Sequence, residues 1–520
     1  MLLFFPNIYR VGMANMGFQT IYRLANIMEG VSCDRCFLPE PHLIPLVERG
    51  EELVSMEIKA SPREFSVLAF SISFELDLLN VIRLLHWSRV EPLAPLRKEG
   101  DPLVIMGGIV PSANPEPFAP LADVIVVGEG EEVLPTVLGV LKEEGAVRTP
   151  RLLSLLAQIP GVYVPSLYQP EYDHFGRFFH FAVQGDAPFP VRWSYWQGFP
   201  QKGNQSSLVT PYGAFPRTFL LEVSRGCPCL CKFCLSAHLY RPLRMVDRER
   251  LLASLDAPFS KVGFVGTSLS HYPHLVEVVD KALSLGKEVT FSSLRLDAPL
   301  PLLKAVCGQS RRGTFGVEAA GEDLRGAIGK PLPQELLMER LLFCVEQGAQ
   351  ILKLYFMVGL PGEKERDVEA LSVFPKGVLH QCKRRGLPLP QVHLSLAPFV
   401  PKPHTPFQWS SMEAKEVLKA KIRKVESVFR RVKGVVVTGE GPKWSLLQGL
   451  ISRGDRRVGE ALVASLTMGG DWAKALRACN ISFHYHIHRT RDRDEPFPWE
   501  VVDTGWDREV LYSRAFLSKT

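Results

Sequence analysis

Residues 218–234 read TFLLEVSRGCPCLCKFC, an apolar run long enough for one buried strand that breaks at Ser-Arg-Gly into a loop carrying four cysteines. Strands buried on both faces read as continuous apolar runs, and their C-terminal ends are where a barrel of alternating strands and helices keeps its chemistry. Moving toward the C-terminus, the same kind of run returns in KVGFVG (261–266), EVTFSS (288–293), TFGVEA (314–319), ILKLYFMVG (351–359) and VHLSL (392–396). Helical stretches such as HLVEVVDKALSLG and PQELLMERLLFCVEQG lie between them. Residues 216–405 therefore predict a partial (βα)6 barrel whose first strand feeds the cysteine loop.

Moving the other way, residues 1–150 alternate as well, through LLFFP, TIYRLANIM, FSVLAFSIS, LLNVIRLLHW, PLVIMGG and DVIVVGEGEEVLPTVLGVL. This predicts a doubly wound parallel sheet, and so an α/β fold class for the chain. Loops at Pro6–Gly12, Ser71–Phe74, Gly107–Ser112 and Gly128–Glu131 follow its strands, where open sheets of this kind place ligands; plain βα turns would use the same glycines. Residues 151–215 dissolve into Pro, Gly and aromatic residues and read as a linker with short strands. No basic residues interleave with these aromatics, so they read as packing rather than as a base-stacking platform. Residues 406–520 read as a mainly helical C-terminal region with a polar tail.

Cys227, Cys231 and Cys234 stand in C-x3-C-x2-C spacing. Thiolates are the ligands of iron–sulfur clusters, and three from one loop can hold a cube while leaving one iron open for another ligand. A zinc site with Cys229 as fourth ligand is the competing reading. It is weakened by the crowding of all four into one loop, because zinc sites pair two separated knuckles.

The stretch SRGCPCLCKFC, with Phe233 before the last cysteine, resembles the cluster motif of the radical S-adenosylmethionine (SAM) superfamily. The resemblance implies a [4Fe–4S] cluster on Cys227, Cys231 and Cys234, with SAM on the open iron and reductive cleavage to a 5′-deoxyadenosyl radical. Cys229 departs from the motif and is expected to be no ligand. By the same resemblance Gly266, Thr267 and Ser268 in GFVGTSLSHYP, Ser292, Ser293 and Arg295 in SSLRLD, and Glu318 in FGVEAAGEDLR are expected to hold SAM, with LKLYFMVGLPGE packing on the adenine. YRVGMANMGFQ, FSISFELDLLN, GGIVPSANPEPFA and VVGEGEE resemble the cobalamin-binding branch of the superfamily, in a subgroup with no agreed reaction. That resemblance implies cobalamin and methyl transfer to an unactivated carbon. The histidine motif D-x-H-x-x-G, which supplies a lower cobalt ligand in classical cobalamin proteins, is absent from the first 150 residues. Reductive cleavage also implies an electron donor such as flavodoxin or ferredoxin.

Two alternatives stand beside this reading: a radical SAM enzyme modifying tRNA or rRNA, and a non-catalytic cobalamin or iron–sulfur sensor. The net charge of +6 permits RNA, but no dense basic block requires it. No apolar run approaches the roughly 18–20 residues that cross a bilayer, and Pro6 and Arg10 interrupt the N-terminal run, so a cytoplasmic protein without membrane association is expected. Lys402, His404 and Trp409 in the Pro-rich APFVPKPHTPFQW are candidates for substrate contact. Cys33 and Cys36 are expected to be ordinary thiols, and Cys307, Cys344, Cys382 and Cys479 buried ones. His484, His486 and His488 alternate as they would on one face of a strand, where a structural or exposed role outweighs metal binding.

Overall fold

The computed structural model describes residues 1–516. β1 (Leu2–Phe5) pairs in parallel with β2 (Asp34–Phe37) on one side and β3 (Val67–Ser71) on the other, and β4 (Leu103–Gly107) and β5 (Val124–Val126) extend the sheet in parallel. β6 (Val162–Tyr163) closes the edge antiparallel, giving the order β2-β1-β3-β4-β5-β6 and carrying this sheet past residue 150. All four residues of β1 are buried because both faces are covered. Leu2 and Phe4 enter one core with the helix Asp77–Trp87, and Leu3 and Phe5 enter the other with the helices Met16–Asn26 and Gly130–Glu144. Each fully buried side chain of this size contributes roughly 1.5–3 kcal/mol, which is why the runs are unbroken. The order reverses between β1 and β3, and that switch point opens a crevice beyond the strand ends.

The aromatic segment that follows forms the hairpin β7 (Tyr168–Tyr172) and β8 (Phe178–Val183), then β9 (Val191–Arg192). Trp193, Trp196 and Phe199 are buried, so these aromatic residues pack.

In the second half, β10 (Phe219–Arg225) lies between the short antiparallel β11 (Arg244–Met245) and the parallel β12 (Lys261–Gly266), with β13 (Glu288–Phe291) beyond. β14 (Arg312–Glu318), β15 (Ile351–Val358), β16 (Gln391–Pro398) and β17 (Val435–Gly439) form a second parallel run, and a parallel bridge between Leu294 and Phe315 joins the two. Beside the six expected strands stands β17, inside the region expected to be mainly helical. Its run VVVTG is β-branched and pairs with β16 along the open edge. β18 (Val502–Asp503) returns to pair with β9, tying the linker to the C-terminal region.

In β15 and β16 every second residue is buried, Leu352, Leu354, Phe356 and Val358 matching Val392, Leu394, Leu396 and Pro398, and the leucines, Phe356 and the valines pack in the core that holds the covering helices. The alternate residues Lys353, Tyr355, Met357, His393 and Ser395 are only half-buried, so the inner face of this open barrel is polar and accessible. Among the described residues no helix is long and apolar enough to cross a membrane.

Candidate functional site

The cysteine loop begins with a bulge, since the pairing of β10 with β12 shifts register between Glu222 and Ser224. Gly226 then turns with φ +92°, and a Cβ there would stand 2.4 Å from the Tyr240 carbonyl oxygen, so the turn requires glycine. Cys231 is buried, and Cys227, Cys229 and Cys234 are half-buried. Backbone bonds lace the loop to its surroundings: Lys232 N–H donates to Ile328 O at 2.9 Å and Phe407 N–H to Lys232 O at 3.3 Å. Phe233 packs with Leu324, Ile328, Phe399 and Phe407, which explains an aromatic residue before Cys234.

Cys227 Sγ lies 3.6 Å from Ser268 Oγ, Ser268 Oγ 2.7 Å from His271 Nδ1, and His271 Nε2 3.7 Å from Cys229 Sγ. Hydrogen bonding from Cys229, with help from Ser268 and the Arg295 charge, pulls the Cys227 thiol down to about 5, whereas burial pushes Cys231 up and Cys234 to about 11. His271 escaped the sequence reading. It follows the glycine-rich turn by too little to look like anything but loop, and its two nitrogens join the turn to the cysteine loop only in space.

The other expected residues divide. Thr267 donates its N–H to Ser224 O at 3.2 Å, and a Cβ on Gly266 would meet Ser224 Oγ at 2.7 Å, so β10 and β12 approach closely at the mouth. Among the described residues, the buried hydroxyls of Ser224 and Ser292 have no hydrogen-bond partner. Ser293 is exposed, and among the described residues its side chain makes no hydrogen bond. Arg295 is held by Asp297 at 2.6 Å, near enough to Cys229 and Cys231 for its charge to favour their thiolates. Glu318 sits at φ +72°, where the β14–β15 register shifts, and accepts from Lys330 Nζ at 2.9 Å. Lys330 also donates to Gly316 O at 2.7 Å. A non-glycine residue held in the left-handed region costs of order 1–3 kcal/mol and persists where its surroundings over-determine it. Lys330, from a loop after a short helix, had no sequence signal pointing to Glu318.

Between this mouth and the first sheet lies a cavity of about 400 Å³, lined from one side by Gly107, Gly108 and Gly128 and from the other by Arg225, Tyr240 and Thr267. Gly108 has φ +111°, and a Cβ would stand 2.2 Å from Ile72 O. Beneath it runs a buried ionic network: Arg225 meets Glu129 at 3.0 Å, Glu131 at 2.9 Å and Glu222 at 2.8 Å, and Arg244 also pairs with Glu129. Glu129 and Glu131 belong to the first sheet's last glycine loop and both arginines to the barrel, so the network spans the two units.

The expected substrate contacts are corrected. Lys402 Nζ is paired with Glu75 at 2.5 Å. His404 Nε2 reaches Ala113 O at 3.0 Å, and burial holds its pKa at about 4, so it is the neutral donor of an interdomain tie. Trp409 is wholly buried against Phe497 and Tyr512. All three serve as scaffold because the segment packs inward on the first sheet and the C-terminal region. His484, His486 and His488 fall in one helical turn rather than a strand, with His486 buried and His484 exposed, so the three do not point together. Cys33 and Cys36 are buried on opposite sides of the first sheet, with thiols pushed up to about 12 by burial. Cys307, Cys344 and Cys382 are buried; Cys479 is exposed, at the end of a short helix.

Three comparisons bear on this arrangement. Residues 17–165 match the family described as "Radical SAM proteins, N-terminal". The uncharacterized protein MJ0966 of Methanocaldococcus jannaschii is 26% identical over 441 residues, covering 83% of this chain and 88% of that protein. Among solved structures, the radical SAM methyltransferase TsrM from Kitasatospora setae, with cobalamin and a [4Fe–4S] cluster bound, is 12% identical at a TM-score of 0.46, over 76% of this chain and 71% of that one. The cobalamin-dependent SAM radical enzyme OxsB, with aqua-cobalamin bound, is 13% identical at a TM-score of 0.45, over 90% and 67%. The N-terminal family's match thus falls on the first sheet and its helices, and the C-x3-C-x2-C loop stands at the mouth of the barrel that follows.

Proposed function

We propose that this chain is a radical SAM enzyme that holds a [4Fe–4S] cluster on Cys227, Cys231 and Cys234 and, with cobalamin in the cavity beside them, transfers a methyl group to an unactivated carbon. The observation that carries the reading is one cavity lined from the first sheet by its glycine loops and from the barrel by Arg225 and Thr267 at the ends of β10 and β12, with Cys227 two residues beyond Arg225. The donor set fits: Cys227, Cys231 and Cys234 come from one loop in C-x3-C-x2-C spacing, and thiolates are the ligands that iron–sulfur clusters take.

When bound, the cluster would supply one electron to the sulfonium of SAM, giving methionine and the 5′-deoxyadenosyl radical, and cobalamin would supply the methyl carrier. The chain's own groups do the positioning. The buried hydroxyls of Ser224 on β10 and Ser292 just after β13, with β12 between them, are available to polar atoms of SAM. Glu318 is poised as an acceptor for ribose hydroxyls, its direction set by Lys330. Arg295 counters the negative charge of the thiolates. Gly108 and Gly128 line the cavity and must be glycine because a Cβ on either would strike the backbone of Ile72 or Ser194, so the turns at these strand ends stay tight. Among the described residues, no histidine lines that cavity.

The test is anaerobic reconstitution with iron, sulfide and cobalamin, followed by reduction in the presence of SAM. Release of 5′-deoxyadenosine is expected, with S-adenosylhomocysteine appearing beside it if methyl transfer occurs. A protein that takes up four irons per chain and never cleaves SAM would overturn the reading in favour of a sensor.

A further inference from the structure

Beside the cysteine loop lies a second hollow of about 620 Å³ that shares no lining residue with the cavity against the first sheet. Cys227, Pro228 and Leu230 form its floor, and Arg192, Arg241 and Asp503 stand on its walls. Arg192, Pro228, Pro242 and Gly505 are exposed, so the hollow opens at the surface. Its flank is cationic. The Arg241 guanidinium lies 3.6 Å from the Trp506 ring centroid and that of Arg514 5.9 Å from the same ring, so one indole gathers two positive charges. Arg514 also donates to Leu230 O at 3.2 Å, which sets it on the cysteine loop beside Lys232. Among the described residues, none of Arg192, Arg241, Arg514 and Lys232 is in an ion pair, although the chain forms such pairs freely elsewhere. The wall carboxylate, Asp503, accepts from Gly505 N–H at 2.7 Å.

We propose that this cationic hollow is the docking face for an acidic one-electron carrier protein of the flavodoxin or ferredoxin class. The inference rests on the reading above, in which each SAM cleavage consumes one electron from outside the chain. One electron would pass from the reduced carrier to the oxidised cluster, leaving the carrier oxidised by one electron, with no bond made or broken. Two features favour such a partner over RNA. The positive charge is a compact patch of four groups rather than a track, and it backs directly onto Cys227, where a redox centre must come close. Carrier complexes of this kind use small, charged, short-lived interfaces, which a surface hollow with a basic rim suits.

The test uses the full chain with its cluster reconstituted, and an acidic flavodoxin as probe. In wild type, binding should weaken by about tenfold or more between about 50 and 300 mM salt. Arg192→Glu with Arg514→Glu should raise the flavodoxin Kd by about tenfold and slow cluster reduction by flavodoxin hydroquinone in stopped flow, while R192K/R514K stays within about twofold of wild type. Iron content and dithionite-driven reduction should be unchanged in both. A flavodoxin Kd unmoved by charge reversal would overturn the proposal. So would loss of binding to a 20-nucleotide RNA in the reversed variant with flavodoxin binding intact, which would assign the patch to nucleic acid. Failure of SAM cleavage with dithionite in wild type would instead count against the enzyme reading, since the binding titration is read separately.

Discussion

The strand ends of the barrel and the segment 398–409 that closes over them are built from similar residue types and put to opposite use. At the strand ends, Ser224 and Ser292 keep buried hydroxyls with no partner among the described residues, Glu318 is held at a positive φ, and two β-strands slip register. In the closing segment Lys402 is spent on Glu75 and His404 on the Ala113 carbonyl. Chemistry-bearing residue types are thus not a sufficient sign of a site. Backbone strain and unpaired groups are not a sufficient sign either, since His404 also stands at φ +54° and the buried Trp409 Nε1 has no partner among the described residues; the difference is where the side chains go, to the mouth in one region and into the first sheet and the C-terminal region in the other.

That contrast can be broken by experiment. Serine at Cys227, Cys231 or Cys234 should remove nearly all bound iron and abolish 5′-deoxyadenosine release, whereas Cys229→Ser should keep the iron; iron and sulfide analysis of anaerobically purified protein decides. Trp409→Ala should cost about 3–5 kcal/mol, seen as a lower denaturant midpoint. If instead stability held and activity fell, the closing segment would belong to the site. Glu318→Gln should weaken SAM binding by about tenfold, as loss of a charge-assisted bond predicts, with little change in thermal midpoint. Lys402→Met should do the reverse, lowering the midpoint through an unpaired Glu75 while SAM affinity stays within about twofold.

The smallest effect is pH dependence. His404 and His486 are held near 4 by burial, against an ordinary 6.5. The unfolded chain therefore binds more protons between those values, and stability should be full above pH 6.5 and decline as pH falls toward 4. His404→Gln should flatten that decline in denaturation midpoints measured across the range.

The alternation of apolar runs and helices made the α/β architecture legible, because strands covered on both faces must be apolar throughout. β17 was not legible: its five residues sit among charged helices, and only the open edge of β16 gives VVVTG somewhere to pair. The cysteine loop could be placed at a strand end from spacing and order alone. Its neighbours could not. His271 and Lys330 join the site through contacts between separate strand ends, and Lys402 and His404 leave it through contacts with the first sheet, more than 290 residues away in the chain. Local patterns carry no information on such pairings.

The carboxylates that grip Arg225 have a further consequence for how this protein can be handled. Arg225 stands two residues before Cys227, and two of the three carboxylates that balance it come from the N-terminal half. Cutting the chain between the halves would strip Arg225 and Arg244 of Glu129 and leave cationic side chains facing an exposed apolar seam. The cysteine-bearing half is thus not a portable module: transplanting it, or swapping its companion for that of a relative, would succeed only if the acidic pair at 129 and 131 travels with it.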